Sequence, residues 1–161
     1  MRNIRQSPYA LRVVQRKTGK AAIIYQRKAD HNGRDRLQRV ASISPLAFTA
    51  ATPLLREAVS KYESNEKPVL ECNEGENQPH HVSRFTFHVG PYYPLDADYG
   101  ARVACFAIIS AGLRDGERLM RAANHLRHAD PNEAAWWLGL LTRDDNSRAL
   151  RALRILTEAV K

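Results

Sequence analysis

Cysteine is almost missing from this 161-residue chain, which holds only Cys72 and Cys105. Their spacing fits neither a disulfide framework nor a structural zinc site. Cys105 lies inside the apolar run "VACFAII" and reads as a small core residue, whereas Cys72 sits in a polar stretch. With no secretory leader in the sequence, the pattern points to a reducing, cytoplasmic setting. Long apolar runs are lacking too. The longest, "VACFAIISAGL", falls far short of the ~20 residues that a membrane span needs, so no membrane partner is expected. A chain of this length is expected to form one domain over residues 1–161, burying roughly two-thirds of its unfolded surface without a metal or disulfide staple.

Catalytic signatures are missing as well. The sequence has no G-x-x-x-x-G-K-S/T, no G-x-G-x-x-G, no G-x-S-x-G, no H-E-x-x-H and no H-x-E with P-C-x-x-C. "HNGRDR" does not build a phosphate-cradling loop, and Ser83 has no orienting carboxylate in register with a histidine. Metal-like groupings are incomplete. His125 and His128 stand three apart with no local carboxylate or thiol, and Cys72, His80, His81 and His88 lack paired spacing. Asp96 and Asp98 lie two apart in "PLDADYG", where a helix cap accounts for Asp98. No enzyme activity, cofactor, metal or small-molecule substrate is therefore expected.

Acidic residues are scarce at the front of the chain. Residues 1–45 hold 11 lysines and arginines against 2 acids, a net +9; residues 46–79 carry −3 and residues 80–161 carry +2. Arginine outnumbers lysine 19 to 6, and its planar fork suits phosphate and carboxylate better than an ammonium does. The profile favours an anionic partner, nucleic acid or an acidic protein surface; ordinary solubility with arginine-rich codon usage accounts for it equally well.

The basic segment 1–45 has the pattern of a β-meander. Leu11 and Val13 alternate with Arg12 and Val14, "KTGK" turns at Gly19, "AAIIYQ" returns, Asn32-Gly33 marks a second turn, and "RVASIS" is a third strand. Such a meander places most of the basic excess on its outer face and tips. Ser44-Pro45 starts a helix over 45–62, with Leu55, Ala58, Val59 and Tyr62 on the core side; Thr52-Pro53 marks either a kink or a fresh start. Residues 63–80, acidic and broken by Pro68, Gly75 and Pro79, form a loop. Phe85, Phe87 and Val89 alternate in a fourth strand over 81–90, closed by "GPYYP". Residues 98–161 form a helical bundle: one helix capped by Asp98, an amphipathic one through Leu119, Met120, Ala123 and Leu126, one opened by Asp130-Pro131, and a last one opened by Asn146-Ser147. The fold class is α+β, an antiparallel meander of three to four strands packed on about four to five helices.

Two surfaces stand out. In "DPNEAAWWLGLL", Asp130 caps the helix and Glu133 completes a capping-box pattern, while Ala134, Trp137, Leu138 and Leu141 fall on one core stripe. Trp136 points about 100° away, beside Glu133, Gly139, Leu140 and Arg143. It is a second packing residue, an anchor for a protein partner, or a stacking platform for a base. The last helix carries Arg148, Arg151 and Arg154 at three-residue spacing, opposite Leu150, Leu153 and Leu156. Those arginines form either a solvated face or a contact to phosphate or an acidic partner. On the preceding stretch Arg114, Arg118, Arg121, His125, Arg127 and His128 gather, and the last three complement a helix dipole.

The tail "NEAAWWLGLL…SRALRALRILTEAVK" and the front "YALRVVQRK…RVASISPLAFTAATPLL" resemble the close and the opening of an uncharacterised family of small bacterial proteins. About half the chain carries the resemblance, and no functional residue transfers with it. That family is associated with gene clusters for defence against bacteriophage, beside ATPases, DNA methyltransferases and helicases. The resemblance implies a non-enzymatic accessory or adaptor subunit that acts with larger protein partners, with contact to DNA also expected; a stand-alone, sequence-nonspecific nucleic-acid-binding protein is the alternative. The expected nucleic-acid contacts are Arg12, Arg16, Lys20, Arg34, Arg36, Arg148, Arg151 and Arg154, and the expected partner contact is Trp136.

Overall fold

A computed structural model describes residues 7–65 and 87–142, together with Arg151 and Arg154. The front of the chain is a three-stranded meander, as its alternation requires. Strand β1 (Tyr9–Arg16) turns at Lys17-Thr18 into β2 (Gly19–Ala29), which returns to β3 (Asp35–Ile43). Each turn has a residue fitted to it. Gly19 and Gly33 have φ of +139° and +76°, a region L side chains rarely enter. Asp30 Oδ1 accepts from the N–H groups of Asn32 (2.8 Å) and Arg34 (2.9 Å), closing the second turn.

Helix α1 (Pro45–Asn65) starts where Ser44 and Pro45 specify, with Ser44 Oγ accepting from Ala47 N at 3.4 Å. It runs unbroken through Pro53 and three residues beyond the expected end at 62. Pro53 removes the N–H that would bond the Thr49 carbonyl. The buried Ala51, Leu54, Leu55, Ala58 and Val59 hold the helix against the sheet, so packing outweighs the single lost bond.

The fourth strand differs from the expectation. Of the span 81–90, residues 81–86 lie outside the described residues, and Phe87–Gly90 is not a strand. Strand β4 is instead Tyr92–Leu95, overlapping the "GPYYP" segment read as a closing turn. It pairs antiparallel with β1 at the sheet edge, giving the order β3-β2-β1-β4. An edge position is where a strand tolerates a proline such as Pro94. Phe87 leaves the ladder to become a core wedge, its ring edge-on to Phe48 (5.7 Å) and Tyr93 (5.5 Å). Gly90, at φ +105°, turns the chain, and its N–H bonds the Val13 carbonyl at 2.9 Å.

Helix α2 (Ala97–Ser110) is capped by Asp96, whose Oδ1 accepts from Tyr99 N at 2.7 Å. Asp98, the expected cap, instead sits inside the first turn and pairs with Arg102 at 2.9 Å. Helices α3 (Gly116–His128) and α4 (Pro131–Leu141) follow, capped by Asp115 and Asp130. Leu119, Ala122, Ala123 and Leu126 form the buried stripe of α3; Met120, expected in it, is exposed. The last helix lies outside the described residues apart from Arg151 and Arg154, which are helical and exposed.

The described chain forms layers. Tyr9, Leu11, Val13, Ala22, Ile24, Ile43, Tyr93 and Leu95 point from one face of the sheet into the core. Helices α1 and α2 cover that face, α3 packs on α1, and α4 packs on α2. Contact between α2 and β1 is close enough to need Gly100, where a Cβ would fall 2.2 Å from Tyr9 Cδ2. Cys105 is fully buried beside Phe106 in α2, and burial pushes its thiol up to about 12, which removes it as a nucleophile.

Candidate nucleic-acid interface

Because side chains alternate along a strand, residues between those core positions occupy the opposite face of the sheet. The register sets Arg12 against Ile23 on β2 and Tyr92 on β4, and Tyr25 against Arg39 on β3. A bulge at Ile24/Tyr25 makes that last pairing: Val40 packs toward the core, and Arg39 moves opposite Tyr25. Among the described residues no element covers this second face. The four strands hold seven lysines and arginines against a single acid, Asp35, at the start of β3.

Tyr25 and Tyr92 stand ring edge to ring face, 5.5 Å apart. The Arg12 guanidinium lies 5.5 Å from the centroid of the Tyr92 ring. Its Nε is buried with no hydrogen-bond partner among the described residues, and the tyrosine ring is what this cation meets there. Tyr92 keeps 42% of its surface exposed. Aromatic rings flanked by arginines on an open sheet offer a base a surface to stack on and its backbone phosphates a counter-charge.

The expected contact residues separate into groups. Arg12 and Arg16 belong to this face by register, and Arg16 is exposed at the end of β1. Lys20 has a structural role, its Nζ donating to the Phe87 carbonyl at 2.7 Å. Arg34 is exposed in the second turn, and Arg36 pairs with Asp30 at 3.1 Å. These two lie at the far hairpin tip, away from Arg12. Arg148 lies outside the described residues, and Arg151 and Arg154 are exposed on a helix. Tyr25, Arg39 and Tyr92, which share this face by register, are not among the expected contacts. Strand alternation alone identifies Tyr25, but the bulge hides Arg39 and the misplaced fourth strand hides Tyr92. Arg27, also on this side by register, is tied by its Nε to the Ser7 carbonyl at 2.9 Å.

The Trp helix forms a second surface. Trp137 is buried at 6% exposure and donates from Nε1 to Glu133 Oε1 at 3.2 Å, whereas Trp136 is 60% exposed, its ring edge-on to Trp137 at 4.9 Å. Glu133 does not close a reciprocal capping box. Its carboxylate meets His125 Nε2 at 3.1 Å instead, and that hydrogen bond, with the one from Trp137, lowers its pKa against the opposing effect of burial. A further polar network ties α1 to α2 and α3. Glu57 accepts from Tyr99 Oη at 2.7 Å and from Arg127 Nε. Burial raises the Glu57 pKa, but these bonds and the Arg127 and His128 charges outweigh it, and the net shift is downward. Burial and the bond to Glu57 push Tyr99 up to about 12. Arg102, buried, ends α3 by donating from Nη1 to the Leu126 (2.5 Å) and Arg127 (3.1 Å) carbonyls. These networks join the helices to one another. Among the described residues no group of acids, histidines or cysteines is placed to hold a metal, and no helix is long and apolar enough to cross a membrane.

Among the described residues, fold and surface define an α+β protein whose sheet packs one face on helices and carries arginines and tyrosines on the other. The chain belongs to the DUF7680 family, described as a domain of unknown function, whose match runs over residues 9–159. It therefore takes in the acidic middle of the chain as well as the two ends that carried the resemblance. No curated protein and no solved structure matches the chain.

Proposed function

We propose that this protein is a non-enzymatic nucleic-acid-binding accessory protein, which lays a single strand across the open face of its sheet. The observation that carries the reading is the cluster of Arg12, Tyr92, Tyr25 and Arg39 on that face, with no carboxylate among them. Arginines supply sequence-independent contact to phosphate, and the tyrosine rings stack on any base. Duplex DNA offers no unstacked base to such rings, so a single strand is the better occupant.

Fluorescence anisotropy with a labelled oligonucleotide tests this. Contacts from Arg12, Arg16 and Arg39 give a slope of log affinity against log salt of about −2, at roughly 0.7 per phosphate neutralised. Arg39→Glu flattens that slope and weakens every sequence alike. No binding at about 50 mM salt, or a salt-independent affinity, rejects direct contact.

Trp136 favours a second contact, with a protein. An exposed tryptophan on a rigid helix has the character of an interface anchor. In this reading α4 docks a larger DNA-acting partner while the sheet holds the strand, and the defence gene clusters associated with the resembling family give such partners a setting. Trp136→Ala then abolishes co-purification with a partner encoded beside the gene and leaves strand binding intact.

A further inference from the structure

At the end of the sheet where β1 and β3 finish and α1 begins, there is a cleft of about 650 Å³. Arg16 from β1, Arg39 from β3 and Arg114 from the α2–α3 connection line it, with Ser42, Ser44 and Leu46. No acidic residue lines it among the described residues. Arginines on this chain are otherwise commonly paired. Arg36 meets Asp30, Arg102 meets Asp98, Arg118 meets Asp115, Arg121 meets Glu117 and Arg127 meets Glu57. By contrast, the side chains of Arg16, Arg39 and Arg114 have no ion pair or hydrogen bond to any described residue. Three separate elements bring three unneutralised guanidinium groups to one concavity, and the positive end of the 21-residue helix α1 forms part of its wall. Like charges gathered without a counter-ion favour an anion, and a guanidinium fork matches the oxygens of a phosphate.

We propose that this cleft is a binding site for a phosphate monoester, with Arg16, Arg39 and Arg114 as its ligands. The group has two possible sources, the terminal phosphate of a nucleic-acid strand or a free mononucleotide. Arg16 and Arg39 also stand on the open sheet face, so a strand crossing that face reaches the cleft at its end. In that arm the inference rests on the nucleic-acid reading; in the mononucleotide arm it does not.

The test compares one single-stranded oligonucleotide with a 5′-phosphate, with a 3′-phosphate and with hydroxyl ends, alongside adenosine monophosphate alone by calorimetry. A terminal-phosphate site raises the affinity of one phosphorylated form about tenfold over the hydroxyl form, as charge-assisted bonds of this kind do. Arg114→Ala, an exposed change away from the strands, removes that gain and leaves binding of the hydroxyl form unchanged. A mononucleotide site binds adenosine monophosphate, loses it on Arg114→Ala, and is indifferent to the oligonucleotide's ends. Equal affinity for all three oligonucleotides with no binding of the mononucleotide overturns the phosphate site while leaving the strand-binding reading intact. Failure of every oligonucleotide to bind, with the mononucleotide still bound, overturns that reading and keeps the site.

Discussion

The adjacent tryptophans provide an internally controlled test of the helical layer. Trp137 is 6% exposed and Trp136 60% exposed, so truncating each removes very different contacts from one turn of one helix. Trp137→Ala opens a cavity in the core cluster that Trp137 shares with Leu138 and Leu141, and removes the indole donor 3.2 Å from the Glu133 carboxylate, which keeps its contact with His125. Core truncations of this size cost roughly 3–5 kcal/mol. Trp136→Ala loses the edge-on ring contact at 4.9 Å and little buried area; aromatic pairs contribute about 1 kcal/mol beyond area. For a domain of this length each kcal/mol shifts Tm by roughly 2–4 °C, so the first change lowers it by roughly 10 °C and the second by no more than about 4 °C. Urea unfolding followed by far-UV circular dichroism measures both, since the substitutions remove the fluorescence probe itself. Trp137→Phe separates the two parts of the cost, restoring most of the volume without the donor to Glu133, and falls between the two alanine variants. Equal destabilisation by both alanine substitutions would refute the division of the pair into a core residue and a surface residue.

Two further outcomes follow from packing and from charge. Gly100→Ala gains helix propensity of about 1 kcal/mol but sets a Cβ 2.2 Å from Tyr9 Cδ2, and overpacking at a well-filled contact costs up to about 3 kcal/mol. The variant is therefore destabilised in urea unfolding, and a neutral or stabilised Gly100→Ala would contradict the close approach of α2 to β1. Glu57 and Glu133 both have folded-state pKa values below 4.5, so each contributes stability that is present above 4.5 and is lost as pH falls through the folded value. Unfolding free energy measured from pH 6 downward declines in that window, and Glu57→Gln flattens the decline; an unchanged profile would remove Glu57 from the acid response.

Much of this architecture is legible in the sequence, for reasons specific to each element. The meander shows because its turns are chemically marked, Gly19 and Gly33 by positive φ and Asp30 by its side-chain acceptor. Helix starts at Pro45 and Pro131 show because a capping side chain precedes each proline. The fourth strand does not show, since alternation of Phe85, Phe87 and Val89 satisfies the same template as Tyr93 and Leu95. Only tertiary packing decides that Phe87 wedges into the core while Tyr93 enters the ladder. Asp98 and Asp96 compete for one cap, and the difference of two residues lies within the normal uncertainty of helix boundaries. The basic character of the sheet's outer face was expected from charge alone. Its tyrosines and Arg39 depend on register, which a bulge and an edge strand fix only in three dimensions.

Affinity for a short single strand, measured in the wild type and in Tyr25→Ala/Tyr92→Ala, addresses the open face most directly. Both rings lie opposite the core, so the double variant keeps its fold, verified by unchanged circular dichroism. Stacking is worth about 1–3 kcal/mol per base. The double variant therefore binds the single strand at least about tenfold more weakly, and the wild type prefers that strand to its duplex. Unchanged affinity in the folded double variant, or equal binding of strand and duplex, would contradict the sheet face as the site.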